Sequence, residues 1–153
     1  MSLVLDSSVT LARLFNDEGG AGVDEVFARI ATGGAHVPTL WRLEVANSLT
    51  VGVRRGRISA TFRDQSLADL ALLNIVSDAG TDAAAWVATL GLADRHRLTL
   101  YDAAYLELAL RLNLPLATLD HDLRVAASAL GLAVLGLVVM GLVVPGTPAT
   151  PAP

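Results

Sequence analysis

The sequence predicts an α/β domain in which helices cover both faces of a short parallel sheet. Short apolar segments alternate with longer segments of helical periodicity, and the apolar segments lack the polar face of a half-exposed strand. The chain has 153 residues, of which 53% are hydrophobic. That length suits one hydrophobic core rather than two domains.

Each element has its own local signal. Apolar runs bounded by turn or capping residues predict strands at Leu3–Leu5, His36–Val37, Ile75–Val76, Leu116–Leu119 and Leu132–Leu135. Apolar periodicity and glycine stops predict helices at Ser7–Asn16, Asp24–Ala31, Thr39–Arg55, Ser59 to about Asn74, Asp82–His96, Thr99–Asn113 and Asp120–Leu130.

We expect the domain to occupy residues 1–136 and residues 137–153 to form a partly disordered extension. The extension is apolar at first and then rich in Pro, Thr and Ala. Residues 126–144 carry no charge, and this uncharged run has about the length of a membrane-spanning helix. Gly131 stops the preceding helix and splits this run, so we expect no membrane span. The N-terminus lacks the basic start and long apolar stretch of a signal peptide.

Composition excludes several classes of protein. The chain has no cysteine, and all 11 of its basic residues are arginine. Thiolate metal sites, Walker A loops and Schiff-base enzymes are therefore excluded. Phosphatases and receiver domains that use an aspartate after the first strand also need a lysine, so they are excluded as well. The formal net charge of −4 argues against nucleic-acid binding by bulk positive charge, so RNA binding would need local arginine patches or bound metal ions.

Three aspartates fall where the predicted fold would place chemistry. Asp6 follows the first strand, Asp120 follows the strand Leu116–Leu119, and Asp102 lies in the first turn of a helix. Functional sites of open parallel sheets form at the carboxyl ends of the strands. Each aspartate also has a structural interpretation, because Asp is a preferred N-cap and Thr99 stands at capping-box spacing from Asp102.

Glu44 is the fourth candidate carboxylate. It lies inside the predicted helix Thr39–Arg55, beside the Leu43 row and so close to the buried side, although a solvated glutamate fits the pattern as well. Four crowded carboxylates without a lysine would raise one another's pKa. A divalent cation would relieve that repulsion, and Mg²⁺ and Mn²⁺ prefer oxygen ligands.

The order of these motifs resembles the PIN domain family, and within it the VapC-type toxin ribonucleases of type II toxin–antitoxin systems. The resemblance covers residues 3 to about 135. It rests on four stretches that contain the four carboxylates in order, namely Leu3-Val4-Leu5-Asp6-Ser7-Ser8, Trp41-Arg42-Leu43-Glu44-Val45-Ala46-Asn47, Leu98 to Ala109 (with Tyr101-Asp102) and Leu114-Pro115-Leu116-Ala117-Thr118-Leu119-Asp120.

The resemblance implies a three-layer α/β/α PIN-like fold and Mg²⁺- or Mn²⁺-dependent endoribonuclease activity. The expected substrate is structured RNA such as tRNA or rRNA, whose cleavage inhibits translation. It also implies a cognate antitoxin partner, a homodimer or toxin–antitoxin heterocomplex, and a cytoplasmic location. In the role assignment, Asp6 and Asp102 bind the metal directly, Asp120 binds through water, and Glu44 orients the attacking water or a second ion.

Other polar residues keep two interpretations. Asn47 and Thr118 either hold the carboxylates in place or are satisfied polar groups of the interior. Asp122 either widens the site or is an ordinary first-turn carboxylate. Arg54, Arg55 and Arg57 form the densest basic cluster and would contact phosphate, seat an acidic partner or be solvated. An alternative function is a catalytically idle PIN-like module that binds RNA or protein.

Overall fold

The computed structural model describes residues 1–15 and 20–136. The strands are β1 (Leu3–Leu5), β2 (Ala35–Val37), β3 (Ile75–Ser77), β4 (Leu116–Ala117) and β5 (Val134–Leu135). The helices are α1 (Ser7–Phe15), α2 (Ala21–Gly33), α3 (Trp41–Arg54), α4 (Ala60–Ala71), α5 (Thr81–Ala84), α6 (Leu90–His96), α7 (Leu100–Leu112) and α8 (His121–Ala129), with a π-helical turn at Ala85–Thr89. The predicted extension at residues 137–153 lies outside the described residues.

The sheet is parallel throughout its described strands, in the order β3-β2-β1-β4-β5. Strand β1 is central, and Val4 pairs with His36 on one side and with Leu116 on the other. The chain builds outward from β1 to β3 and then crosses to β4 on the opposite side. The carboxyl ends of β1 and β4 therefore flank the point where the strand order reverses, which is the usual position of a ligand site in such sheets.

The core lies around β1 and helix α7. All three residues of β1 are fully buried, and α7 contributes Tyr105, Leu106 and Leu108 without measurable exposure. Helix α7 packs on β1 and β4, while α1 packs on α2 and α3. This arrangement confirms the predicted three-layer α/β/α fold. Strand β3 differs from the prediction because it lies at the sheet edge, where Val76 is 49% exposed.

Several predicted boundaries were wrong by a few residues. Helix α3 begins at Trp41 rather than Thr39, since the Trp41 N–H donates to the Pro38 carbonyl in a preceding turn. Helix α2 starts earlier than predicted, and α4 ends before the predicted Asn74. Strands β4 and β5 are shorter than predicted. Ser59, the predicted first residue of this helix, is its N-cap, and its hydroxyl accepts the Phe62 N–H at 3.0 Å.

The predicted helix Asp82–His96 is interrupted by the π-helical turn. A π turn admits one extra residue and rotates the following side chains about the helix axis. Trp86 and Val87 lie within it and are 87% and 81% exposed, although they supply apolar positions in the predicted helix. Leu43 is also exposed, although the sequence predicts that it lies close to the buried side of α3. No helix within residues 1–15 and 20–136 is long and apolar enough to cross a membrane.

Candidate active site

Asp6 lies directly after β1 and is 4% exposed. Its carboxylate accepts the Ser8 hydroxyl at 2.5 Å and the Thr118 hydroxyl at 2.7 Å, both through Oδ2. Burial raises the pKa of Asp6 above its usual range, while the hydrogen bonds from Ser8 and Thr118 oppose that shift. Asp6 is therefore a buried carboxylate that is only partly compensated by hydroxyl groups.

The two hydroxyls that hold Asp6 also fix the loop after β4. The Ser8 hydroxyl accepts the Leu119 N–H at 3.0 Å, and the Thr118 hydroxyl accepts the Asp120 N–H at 3.0 Å. A hydroxyl can donate one hydrogen bond and accept others. Each hydroxyl thus connects Asp6 at the end of β1 to the backbone that follows β4, so the position of Asp120 is coupled to that of Asp6.

Glu44 lies in the first turn of α3, and the Tyr105 hydroxyl of α7 donates to its Oε2. Burial raises the pKa of Glu44, and the charges of Asp6 and Asp102 add to the increase. Burial and the neighbouring Glu44 also raise the pKa of the Tyr105 hydroxyl, so this phenol stays protonated as a donor. Glu44 thus lies close enough to Asp6 and Asp102 for their charges to raise its pKa.

Asp102 lies in the first turn of α7, where it forms a reciprocal capping arrangement. The Thr99 hydroxyl accepts the Asp102 N–H at 3.1 Å and donates to Asp102 Oδ2 at 2.6 Å. The capping interpretation of this pair is confirmed. The charge of Asp102 also raises the pKa of both Asp6 and Glu44. Thr99 is therefore the cap of the helix, and Asp102 binds the hydroxyl of that cap while its charge acts on the other carboxylates.

Asp120 is the N-cap of α8, where its Oδ1 accepts the Leu123 N–H at 2.8 Å. The capping interpretation is confirmed here as well. Asp120 is exposed. Its connection to Asp6 runs through the Thr118 hydroxyl. Asp120 thus lies at the outer rim of the acidic group.

The other polar candidates have different surroundings, and only one of them contacts a candidate carboxylate. Thr118 is fully buried and holds Asp6, as one of its two interpretations expected. Asn47 is exposed and lines a cleft between α1 and α3, and within the described chain it forms no hydrogen bond to a candidate carboxylate. Asp122 is exposed and lines a different surface cleft, together with His96 and Arg97.

Sequence reasoning did not single out Ser8 and Tyr105 as site residues. Ser8 stands two residues after Asp6, and Tyr105 stands one helical turn after Asp102, so both had a positional signal. The partner of Tyr105, however, is 61 residues away along the chain. Only the packing of α7 against α3 brings that pair together.

The donor chemistry of Asp6, Glu44 and Asp102 fits a divalent metal ion. All three offer carboxylate oxygens, and Asp6 and Glu44 have raised pKa values because of burial and neighbouring negative charge. In the part of the chain that the structure describes, no three His, Cys, Asp or Glu side chains meet closely enough to hold an ion together. Glu44 is instead engaged by Tyr105, and Asp102 by Thr99. Metal binding would require these two side chains to turn toward Asp6.

The fold and the site define an α/β/α protein with an acidic group at the switch point of a parallel sheet. The sequence model of the PIN domain matches residues 3–129, and the chain belongs to the PIN domain family. PIN domains are generally nucleases. No curated protein matches the sequence significantly.

Three solved structures illustrate the shared fold. PAE2754 from Pyrobaculum aerophilum is 23% identical with a TM-score of 0.64, covering 88% of this chain and 83% of that chain. A toxin–antitoxin complex from Klebsiella pneumoniae is 19% identical with a TM-score of 0.54, covering 77% and 86%. VapBC2 from Rickettsia felis, bound to a DNA fragment from its promoter, is 12% identical with a TM-score of 0.59, covering 88% and 97%. At these identities the likeness concerns the fold.

Proposed function

We propose that this protein is a Mg²⁺- or Mn²⁺-dependent endoribonuclease and the toxin of a toxin–antitoxin pair. It would cleave structured RNA such as tRNA or rRNA and so inhibit translation in the cytoplasm. The observation that carries the proposal is the buried Asp6 carboxylate at the carboxyl end of the central strand, with Glu44 and Asp102 close enough for their charges to act on one another's surroundings. Membership of the PIN domain family supports it.

The uncompensated charge of the site supports a cation as cofactor. The largest charge effects on the pKa of Asp6 and Glu44 come from other carboxylates, and no arginine is among them. The chain has no lysine that could take this role. A bound divalent ion would neutralise charge on the scissile phosphate and supply a more acidic water as the nucleophile.

The chain's own residues have distinct roles in this proposal. Asp6 and Asp102 would hold the ion directly, Asp120 through a water molecule, and Glu44 would orient the attacking water. Ser8 and Thr118 fix the carboxylate of Asp6 by hydrogen bonds. Such supporting contacts keep metal ligands in a productive orientation.

The proposed partner is a cognate antitoxin, and the assembly is a homodimer or a toxin–antitoxin heterocomplex. Support comes from the structural neighbours, one of which is described as a toxin–antitoxin complex. An antitoxin that covers the carboxyl edge of the sheet would keep RNA away from the carboxylates. Co-purification of this chain with the protein encoded beside it would test the pairing.

The decisive experiment is cleavage of total bacterial RNA by purified, antitoxin-free protein in Mg²⁺, in Mn²⁺ and in EDTA. We expect discrete products that require metal. We expect Asp102→Asn to lower the rate by more than about 100-fold, since loss of residues that merely support a metal ligand already costs roughly 10–100-fold. The matched control is Asp82→Asn, because Asp82 is also a first-turn carboxylate but lies on α5.

A second readout does not depend on finding the natural RNA. An ion that binds only the folded state raises the melting temperature. MnCl₂ should therefore stabilise the wild-type protein and the Asp82→Asn variant, and stabilise Asp102→Asn much less. Folded protein that neither cleaves RNA nor gains stability from either ion would refute the metal-dependent nuclease.

A further inference from the structure

An exposed aromatic side chain stands directly beside the candidate active site. Tyr101 is 65% exposed and comes one residue before Asp102 in the first turn of α7. Two other aromatic residues are also exposed, namely Phe62 on α4 and Trp86 on the π-helical turn. Neither of these two is next to a candidate carboxylate in the chain. Position therefore distinguishes Tyr101 from the other exposed aromatic side chains.

Tyr101 continues the buried face of α7 beyond the edge of the domain. Tyr101, Ala104, Tyr105 and Leu108 follow one another at a spacing of three or four residues, so they share one face of the helix. Ala104 is 6% exposed, whereas Tyr105 and Leu108 have no exposure. The Tyr105 hydroxyl donates to Glu44 on α3, which shows where this face points.

The direction of α7 places Tyr101 at the mouth of the site. Helix α7 leads through a short loop into β4 and packs on it, so the N-terminus of α7 lies at the carboxyl edge of the sheet. Tyr101 lies one turn, or about 6 Å, nearer to that edge than Tyr105. Helical side chains also lean toward the N-terminus. The Tyr101 ring is therefore carried past Tyr105 toward the open side of the acidic group.

The fold makes little use of the Tyr101 ring. Among the residues that the structure describes, its hydroxyl forms no hydrogen bond, and its ring contacts no other ring or cation. Tyr101 belongs neither to the hydrophobic core nor to the partly buried side chains packed against it. Both the flat face and the hydroxyl are thus available to a ligand, and loss of the ring should cost the fold little.

The proposed chemistry brings an RNA strand within reach of this ring. In the proposed function, the scissile phosphate lies at a metal ion that Asp6 and Asp102 hold. Consecutive Cα atoms are about 3.8 Å apart, so Tyr101 stands within one residue length of a group that holds that phosphate. The nucleotides on either side of the phosphate have to pass this edge of the sheet. Unpaired bases are commonly bound by stacking on aromatic side chains.

We propose that the Tyr101 ring stacks on one unpaired base next to the scissile phosphate. This inference rests on the proposed nuclease function and extends it to the positioning of the RNA strand. Stacking needs no positive charge, so it is compatible with the acidic surroundings of Asp6 and Asp102. Every base has a face that can stack, so the contact fixes the position of the strand at the carboxylates and does not select a sequence.

An apolar side chain of a partner protein is the competing occupant, because tyrosine is also enriched in protein interfaces. The position of Tyr101 favours RNA. A substrate has to reach the Asp102 carboxylate, which is the next residue along the helix, whereas a protein that covers the site has no need to contact this ring.

The test compares Tyr101→Ala with Tyr101→Phe and with the matched control Trp86→Ala. Trp86 is a more exposed aromatic residue, but its neighbour Val87 lines a surface cleft with Arg111, which is about 14 Å from Asp102 along α7. Binding of single-stranded RNA octanucleotides is measured by fluorescence anisotropy in the Asp102→Asn background, to prevent cleavage. Tyr101→Ala should weaken binding roughly tenfold, whereas Tyr101→Phe and Trp86→Ala should change it less than about twofold.

A spectroscopic readout distinguishes stacking from an indirect structural effect. The base 2-aminopurine fluoresces less when it is stacked, so octanucleotides that carry it at successive positions report the contact. Its fluorescence should fall on binding to the protein with Tyr101 or Tyr101→Phe, and fall much less with Tyr101→Ala. An abasic nucleotide at the most strongly quenched position should abolish the difference in affinity between Tyr101→Ala and the protein that keeps Tyr101.

Equal RNA affinity with and without the Tyr101 ring would overturn the proposal. A loss in Tyr101→Phe as large as in Tyr101→Ala would also overturn it, since the contact would then depend on the hydroxyl. The competing occupant is tested by co-purification with the protein encoded beside this chain. If Tyr101→Ala abolishes that co-purification and leaves RNA affinity unchanged, the ring binds a protein and the proposal is wrong.

These measurements separate the inference from the proposed function. Ring-dependent RNA binding by a protein that cleaves no RNA in any metal, even with Asp102 intact, would count against the nuclease and in favour of the base contact. Metal-dependent cleavage with unchanged RNA affinity in Tyr101→Ala would count the other way. Circular dichroism melts of each variant confirm that a loss of binding does not arise from unfolding.

Discussion

Replacing Thr118 by valine tests whether the buried carboxylate of Asp6 is held by hydroxyl groups. Valine has the same shape as threonine, so the fully buried position stays filled. The change removes the 2.7 Å hydrogen bond to Asp6 and leaves the Asp120 N–H without its acceptor. A hydrogen bond to a charged group contributes about 1.5–3 kcal/mol, so we expect a loss of about 2–3 kcal/mol in the free energy of unfolding near neutral pH.

The pH dependence gives the sharper test. Burial raises the pKa of Asp6 in the folded state, so the ionised carboxylate destabilises the fold as pH rises through that raised pKa. Removing the Thr118 hydroxyl raises this pKa further, since the hydroxyl favours the charged form. The deficit of Thr118→Val should therefore be largest where Asp6 is ionised. It should shrink to about 1 kcal/mol where Asp6 is protonated, because the lost bond is then neutral.

The assay is urea denaturation in EDTA, followed by circular dichroism from about pH 8 down to about pH 4. Thr10→Val is the matched control. Thr10 is also fully buried; its hydroxyl accepts the Trp41 indole N–H at 3.3 Å and donates to the Asp6 main-chain carbonyl at 3.5 Å, without touching a carboxylate. Its cost should be about 1 kcal/mol at every pH. A Thr118→Val deficit that does not vary with pH would refute the electrostatic account of Asp6.

Four more substitutions test the contacts of charged groups. Glu44→Gln should stabilise metal-free protein near neutral pH, with a gain that shrinks as pH falls, because the raised pKa of Glu44 makes its ionised form unfavourable; a loss in urea melts at all pH values contradicts this. Tyr105→Phe should cost about 1–2 kcal/mol and enlarge the gain from Glu44→Gln, and strict additivity in the double mutant would contradict the contact. Arg111→Gln should cost about 2 kcal/mol, since buried Glu107 loses a partner whose own side chain is 36% exposed. Arg63 pairs with Asp64, whose side chain is 64% exposed, so Arg63→Gln should cost less than about 0.5 kcal/mol; equal costs would show that burial of Glu107 is unimportant.

Strands could be predicted from the sequence where the apolar residues of one segment alone indicate that the segment is buried. β1 and β4 are continuous apolar runs, and both are fully buried as such runs predict. β3 has a similar run but lies at an edge and is largely exposed. Its exposure follows from the strand order, which is set by packing between distant segments and is not encoded in local periodicity. Trp86 is a second case, since it is exposed on a π-helical turn that packs against α7, and its sequence predicts a regular helix there.

Candidate site residues could be predicted from the sequence where they directly follow a predicted strand or begin a predicted helix. Asp6 and Asp120 were found because the carboxyl ends of adjacent parallel strands meet at one edge. Ser8 and Tyr105 were missed because their importance lies in what they contact. Serine after an aspartate and tyrosine on a buried helix face are both common without function. Their bonds to Asp6 and Glu44 appear only once the elements are packed together.

Capping and metal binding were treated as competing interpretations of the aspartates, but the structure makes them compatible. Asp120 caps α8 through Oδ1, and the hydrogen bond from Thr99 reaches Asp102 at Oδ2. A carboxylate has two oxygens and about four lone-pair positions, so each retains acceptor capacity toward the site. Capping preference therefore does not distinguish the two interpretations, and the metal-dependent melts of Asp102→Asn proposed above are the measurement that does.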